Sequence, residues 1–170
     1  QQRRQKMQNV CGNCHEDQHV ANFYTQYDAL IEFYNGKYAK PGTELMQLVQ
    51  PLREGIPKFA HVLDWTWFEL WHHEGRRARH GASMMGPDYT HWHGTYEIAK
   101  HWYAKFIPEL RILIAEARSD DSLKPAAEAL AVKLDEVLNL PGHQWYLGKE
   151  DPEEAARRKA AQETFRARYK

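Results

Sequence analysis

Residues 11–15 read Cys11-Gly12-Asn13-Cys14-His15, and the rest of the chain is organised around them. Two thiols spaced this way on a helical turn can each form a thioether to one vinyl group of a haem. The adjacent histidine then lies under the iron as an axial ligand, so C-x-x-C-H is the pattern for c-type haem attachment. These are the only two cysteines in the chain. A Cys2His2 zinc finger would need a histidine pair about 12–15 residues further on, and no histidine occurs between His19 and His61. A thioredoxin-like C-x-x-C belongs near a βαβ pattern, and no strand run is visible. A disulfide between Cys11 and Cys14 would leave His15 unexplained.

Composition narrows the field. At 170 residues the chain is one domain, with or without extensions. Lys+Arg and Asp+Glu both number 23, which gives no support for nucleic acid or an anionic membrane as partner. No apolar run reaches the roughly 18 residues of a membrane span. The start, Gln1-Gln2-Arg3-Arg4-Gln5-Lys6, has no apolar stretch behind it and is not a signal peptide. Haem attachment to this motif in bacteria is exported chemistry, so the start reads as processed, or as cut from a longer chain. Ten histidines and six tryptophans accompany a mean hydropathy of −0.78. Aromatic richness on a polar average suggests apolar faces that close on a haem and on other chains.

Helical periodicity extends outward from the motif. Residues 1–10 form a polar lead-in. Phe23, Tyr27, Leu30 and Tyr34 recur at helical spacing, and Asn35-Gly36 is expected to stop that helix. Pro41-Gly42 marks a turn, with Thr43 capping a short helix through Leu45, Leu48, Val49 and Leu52. Gly55 and Pro57 end it. From Lys58 to about His80 a stripe of Phe59, Leu63, Trp67 and Leu70 predicts a long helix. Gly86-Pro87-Asp88 breaks the chain, with Asp88 as the expected N-cap. Then Trp92, Tyr96, Ala99, Tyr103, Phe106, Leu110 and Leu113 predict a helix to about Arg118, bent near Pro108. Ser119-Asp120-Asp121-Ser122 is a loop. Ala127, Leu130, Leu134 and Val137 define a further helix ending at Pro141-Gly142. Asp151-Pro152-Glu153-Glu154 opens a charged last helix to about Tyr169. The expected fold is all-α, of multihaem-cytochrome type. Its expected segments are a haem-binding segment at 1–40, a long-helix bundle at 41–148 and a charged helix at 149–170.

An iron held by His15 needs a sixth ligand or an open site. His19 lies one turn after His15 and cannot easily reach the opposite face, so it reads as a surface or supporting group. Met84 and Met85 would suit an electron-transfer cytochrome. His93 is helix-borne between Trp92 and Tyr96 and is the first choice for a distal ligand. Its bland alternative is a buried, hydrogen-bonded histidine. Glu97 and His101 follow at steps of four, with Glu97 as acceptor for His93; a non-haem metal on His93, Glu97 and His101 is the weaker reading. His72 and His73 point about 100° apart on a helix, so one of them faces any haem. Arg76, Arg77 and Arg79 could pair haem propionates, or form a solvated helix end.

Longer motifs carry a resemblance. Trp71-His72-His73-Glu74-Gly75-Arg76-Arg77-Ala78-Arg79, Gly81-Ala82, Met85-Gly86-Pro87-Asp88-Tyr89, Trp92-His93-Gly94 and Tyr96-Glu97 resemble the C-terminal helical region of the hydroxylamine oxidoreductase family. That family comprises octahaem enzymes and their hydrazine-oxidising relatives. Cys14-His15, Phe23-Tyr24, Gln26-Tyr27-Asp28 and Tyr34-Asn35 resemble the last haem motif of that family and the helix after it. The resemblance covers roughly residues 7–118. It implies a homotrimer with bis-histidine c-type haems and one five-coordinate catalytic haem. It also implies a tyrosine reaching the catalytic haem of a neighbouring subunit, and Tyr89 occupies that place. The alternative is an ordinary interface tyrosine. Cross-linking the macrocycle would change its electronics in favour of removing electrons from substrate.

The departure matters equally: one haem motif stands here where the family has eight. The chain is therefore expected to be a split subunit or a C-terminal piece, inactive on hydroxylamine unaided. The expected function is a haem-bearing part of a multihaem oxidoreductase that oxidises hydroxylamine or hydrazine and relays electrons through haem c and its iron. Its expected partners are another haem-bearing chain, trimer neighbours, a small nitrogen substrate and an electron-accepting cytochrome, in the periplasm or the anammoxosome lumen. The alternatives are a stand-alone monohaem cytochrome and a non-catalytic trimerisation subunit.

Overall fold

The computed structural model describes residues 2–149 and 151–168. The fold is helical and has no strand among the described residues, all-α as expected. No described helix is long and apolar enough to cross a membrane. The chain divides into two compact units. One is the chain up to Gly42 with Pro57–Pro108; the other is Thr43–Ile56 with the chain from Glu109 on.

The first unit begins with α1 (Gln2–Cys11), a polar helix without buried residues. α2 (Asp17–Tyr34) follows the Cys11–His15 stretch. Asn35-Gly36 does not stop it. The chain turns through a π segment (Asn35–Ala39) directly into α3 (Lys40–Val49), with the Lys40 N–H donating to the Asn35 carbonyl. A proline lacks an N–H and clashes with the carbonyl four residues back. The wider π turn just before Pro41 relieves both problems. Pro41-Gly42 is thus buried helix, not a turn, and Thr43 lies inside α3 rather than capping it. A Cβ on Gly42 would fall 2.2 Å from the Trp67 ring and 3.1 Å from Trp102, so glycine is required by close approach.

The helix expected from Lys58 starts only at α4 (Val62–Phe68), where His61 Nδ1 accepts the Leu63 N–H at 3.1 Å. Phe59 stands outside it with positive φ, while Leu63 and Leu70 are buried as the stripe requires. A second π segment (Glu69–Glu74) leads into α5 (Gly75–Ser83). Gly86, not Asp88, is the N-cap residue of α6 (Pro87–Thr90), with Pro87 in its first turn. From there helix runs on through π (His91–Thr95), α7 (Tyr96–His101), π (Trp102–Phe106) and α8 (Ile107–Ala117). Pro108, like Pro41, comes just after a π turn. Each π turn shifts the phase of the buried face. The buried line is therefore Gly94, Ile98, Trp102, Tyr103, Phe106 and Ile107, whereas Trp92 and Tyr96, expected on it, are 56% and 48% exposed. Trp102 is the largest fully buried side chain and meets Tyr38 and Phe106 edge-on or tilted at 5.3 and 5.0 Å.

In the second unit, Gly55 at φ +81° follows a 3-10 turn (Gln50–Arg53). α9 (Lys124–Leu138) buries Ala127, Leu130, Leu134 and Val137 as its periodicity requires. The loop before it is closed by the Ser122 N–H donating to Asp120 Oδ1 at 2.8 Å. α10 (Pro152–Arg168) opens with the Glu153 N–H donating to Asp151 Oδ1 at 2.9 Å and buries nothing. The expected end at Tyr169 lies outside the described residues.

Candidate haem site

The motif extends the last turn of α1. The Gly12 N–H donates to the Gln8 carbonyl at 2.9 Å, and the Cys14 and His15 N–H groups donate to the Cys11 carbonyl at 3.1 and 3.0 Å. Helical hydrogen bonding at this spacing sets Cys11, Cys14 and His15 on one side of the turn. Both thiols are free, and Cys14 and His15 are exposed. Glu16, in extended conformation, redirects the chain into α2. Arg4 on α1 donates twice to the Asp28 carboxylate on α2, at 2.6 and 2.7 Å, and lies over the Tyr24 ring at 4.8 Å. Those two hydrogen bonds hold the Asp28 carboxyl below its usual range. The fork geometry pins the two helices that flank the motif.

His15 stacks on His19 with centroids 4.5 Å apart. His19 in turn lines a cavity of about 650 Å³ between α2 and the segment from Ala82 to Thr95. Phe23, Tyr27, Leu30, Met85 and His91 share that lining. A haem is a flat, mainly apolar disc with a metal centre. Free thiols on one helical turn, linked through the His15–His19 stack to an aromatic and aliphatic cavity edged by imidazoles, fit such a group. Polar side chains, among them Gln5, Asn9, Asn13 and Asp17, line a smaller hollow of about 470 Å³ by α1 and the start of α2.

His93 does not join this cavity. It is 55% exposed, 5.1 Å from the Tyr89 ring, with Nδ1 3.7 Å from Glu97 Oε1. That is ion-pair range, longer than a hydrogen bond. The other Glu97 oxygen accepts from Arg77 Nη1 at 3.0 Å. Tyr89, Trp92, His93 and Tyr96 are exposed together on one helical stretch.

His101 is not on a shared site with His93 and Glu97. It contacts the buried carboxylate of Glu74, across from the Glu69–Glu74 π segment. Burial pushes the Glu74 carboxyl up, opposed by the His101 charge and hydrogen bond. The His72 and His73 rings meet edge to face, with centroids 5.3 Å apart and planes at 82°. His72 stacks on Phe68 at 4.4 Å and meets Arg76 Nη1 at 3.1 Å, while His73 is exposed. Burial first, then Arg76 and His73, holds the His72 imidazole below its usual range. Of the arginines proposed for propionates, Arg76 and Arg77 are engaged by His72 and Glu97 within the chain.

His91 is the site residue that periodicity missed. Its position two residues before His93 gave no reason to separate them, but the π segment His91–Thr95 sets His91 in the cavity lining. Comparison with protein-family models, with curated proteins and with solved structures found no match to this chain.

Proposed function

We propose that this chain is a haem-bearing subunit, or the C-terminal region, of a multihaem oxidoreductase of the hydroxylamine oxidoreductase type. The observation that carries the reading is the Cys11–His15 turn, with two free thiols and His15 stacked on the wall of an aromatic cavity. In this reading Cys11 and Cys14 hold haem c through thioethers and His15 binds its iron. Bound there, the haem supplies a one-electron couple. His93 is the first candidate for an iron ligand to a haem of its own or a neighbouring chain, with His72 and His73 next. Tyr89, Trp92 and Tyr96 form an outward aromatic surface, 48%, 56% and 48% exposed, of the kind that partner chains cover. In this reading Tyr89 serves a neighbouring catalytic haem. The reaction served is oxidation of hydroxylamine or hydrazine in an exported compartment, with electrons leaving one at a time.

A second reading, a stand-alone monohaem cytochrome, is favoured by Met85, which lines the same cavity as His19. A haem-stained denaturing gel separates the two. The complex predicts haem covalently bound to this chain, lost in Cys11→Ser and Cys14→Ser, and a higher-mass haem-stained adduct that collapses in Tyr89→Phe. The monohaem cytochrome predicts a single band indifferent to Tyr89. Colourless, iron-free protein with two titratable thiols would overturn both.

A further inference from the structure

A second group of ligand atoms lies away from the cysteines. Glu69 and Glu74 bound the π segment between α4 and α5. In an α-helix, residues five apart point to different sides, but the wider π turn brings residue i+5 back over residue i. His101, at the end of α7, faces them. One oxygen of each carboxylate and one imidazole nitrogen all lie within 4.8 Å of one another. Glu74 is 3% exposed, and while Oε1 contacts His101 Nδ1, its Oε2 is buried with no hydrogen-bond partner. A buried carboxylate oxygen without a donor is costly. The neighbouring positive group is Lys105, whose Nζ is 3.7 Å from Glu69 Oε2 and 47% exposed, free to swing into solvent.

We propose that Glu69, Glu74 and His101 form a binding site for a divalent first-row metal ion, separate from the haem motif. One imidazole and two carboxylates are a donor set that suits Zn²⁺, Mn²⁺ or Fe²⁺, with a water completing the shell. Metal–ligand bonds of about 2.0–2.2 Å put tetrahedral ligands about 3.4 Å apart. The present spacing reaches that by an inward move of the partly exposed Glu69 side chain, about 1 Å or more, and a small parting of Glu74 from His101. The ion would supply the missing partner for Glu74 Oε2 and neutralise both carboxylates.

The test uses the full chain as purified, with any thiols not taken by haem capped by iodoacetamide, so its outcome does not depend on the haem reading. After chelation and dialysis, Zn²⁺ and then Mn²⁺ binding is measured by equilibrium dialysis with elemental analysis. The expected result is about one ion per chain with wild type, and at least about tenfold weaker binding in Glu69→Gln and His101→Gln, given that even supporting-residue losses cost 10–100-fold. Glu69 is partly exposed, so Glu69→Gln decides the question if His101→Gln fails to fold. Absence of bound ion with both metals, or undiminished binding in a folded Glu69→Gln, overturns the proposal.

Discussion

Gly94→Ala offers the most direct test of how the Tyr89–His93 limb is held. A Cβ at position 94 would sit 2.6 Å from Ala78 Cα, 2.7 Å from Ala78 Cβ and 2.9 Å from Ala78 N. Ordinary contact begins near 3.4 Å, so α5 and the π segment His91–Thr95 must part by up to about 0.8 Å. Two of the three atoms are backbone, and no rotamer change relieves them. A gap of that size forfeits roughly a quarter to a half of each dispersion well along the seam. Overpacking of this kind costs about 1–3 kcal/mol, and the better helix propensity of alanine returns at most about 1 kcal/mol. Because backbone must move, the cost falls in the upper half of that range, and the net loss is about 1–2 kcal/mol, or some 2–8 °C in Tm for a chain of this length. Gly36→Ala is the matched control: its Cβ would meet nothing within 4 Å, in an exposed helical position. It should raise stability by about 0.5–1 kcal/mol. Urea titration followed by far-ultraviolet circular dichroism measures both. A Gly94→Ala protein as stable as wild type, or a Gly36→Ala protein that loses as much as Gly94→Ala, would refute this account of the seam.

Three further outcomes follow from the same geometry. Burial raises the Tyr34 phenol from 10.0 to about 12, with Glu74 adding and Arg79 opposing, and its hydroxyl donates to the Leu70 carbonyl at 3.2 Å. Its folded pKa lies above the unfolded one, so this stability is complete below pH 10 and is lost as pH climbs from 10 to about 12. Tyr34→Phe should flatten the alkaline decline by up to about 1.4 kcal/mol per pH unit; an unchanged slope would show that Tyr34 titrates normally. Gly75→Ala puts a Cβ 2.4 Å from the Tyr34 hydroxyl oxygen, so it should weaken that hydrogen bond and lower Tm by several degrees in a thermal melt. Arg118 and Glu128 make a fork at 2.9 and 3.0 Å between half-exposed side chains. Glu128→Gln should lower the urea midpoint only slightly, and less in high salt.

Local chemistry alone determined several parts of this protein. The Cys11–His15 stretch is a turn whose spacing needs no distant partner, and its hydrogen bonds are those of one helical turn. α9 and α10 lie close to where periodicity and the Asp151-Pro152 start predict them, because nothing in them departs from α geometry. Tertiary structure decided the rest wherever a π turn intervened. Asn35-Gly36 reads as a stop from propensity, yet buried Tyr38 and the approach of Gly42 to Trp67 hold the chain helical through a widened turn. Trp92 and Tyr96 continue the stripe of Phe106 and Leu110 on paper, but the π turns rotate them outward and send His91 to the cavity lining instead of His93. His101 belongs to Glu74, 27 residues away, and not to Glu97 four residues before it. A π turn costs local hydrogen-bond geometry, and only packing between distant residues repays it. For that reason its position, and every side chain re-aimed by it, is set by the folded whole.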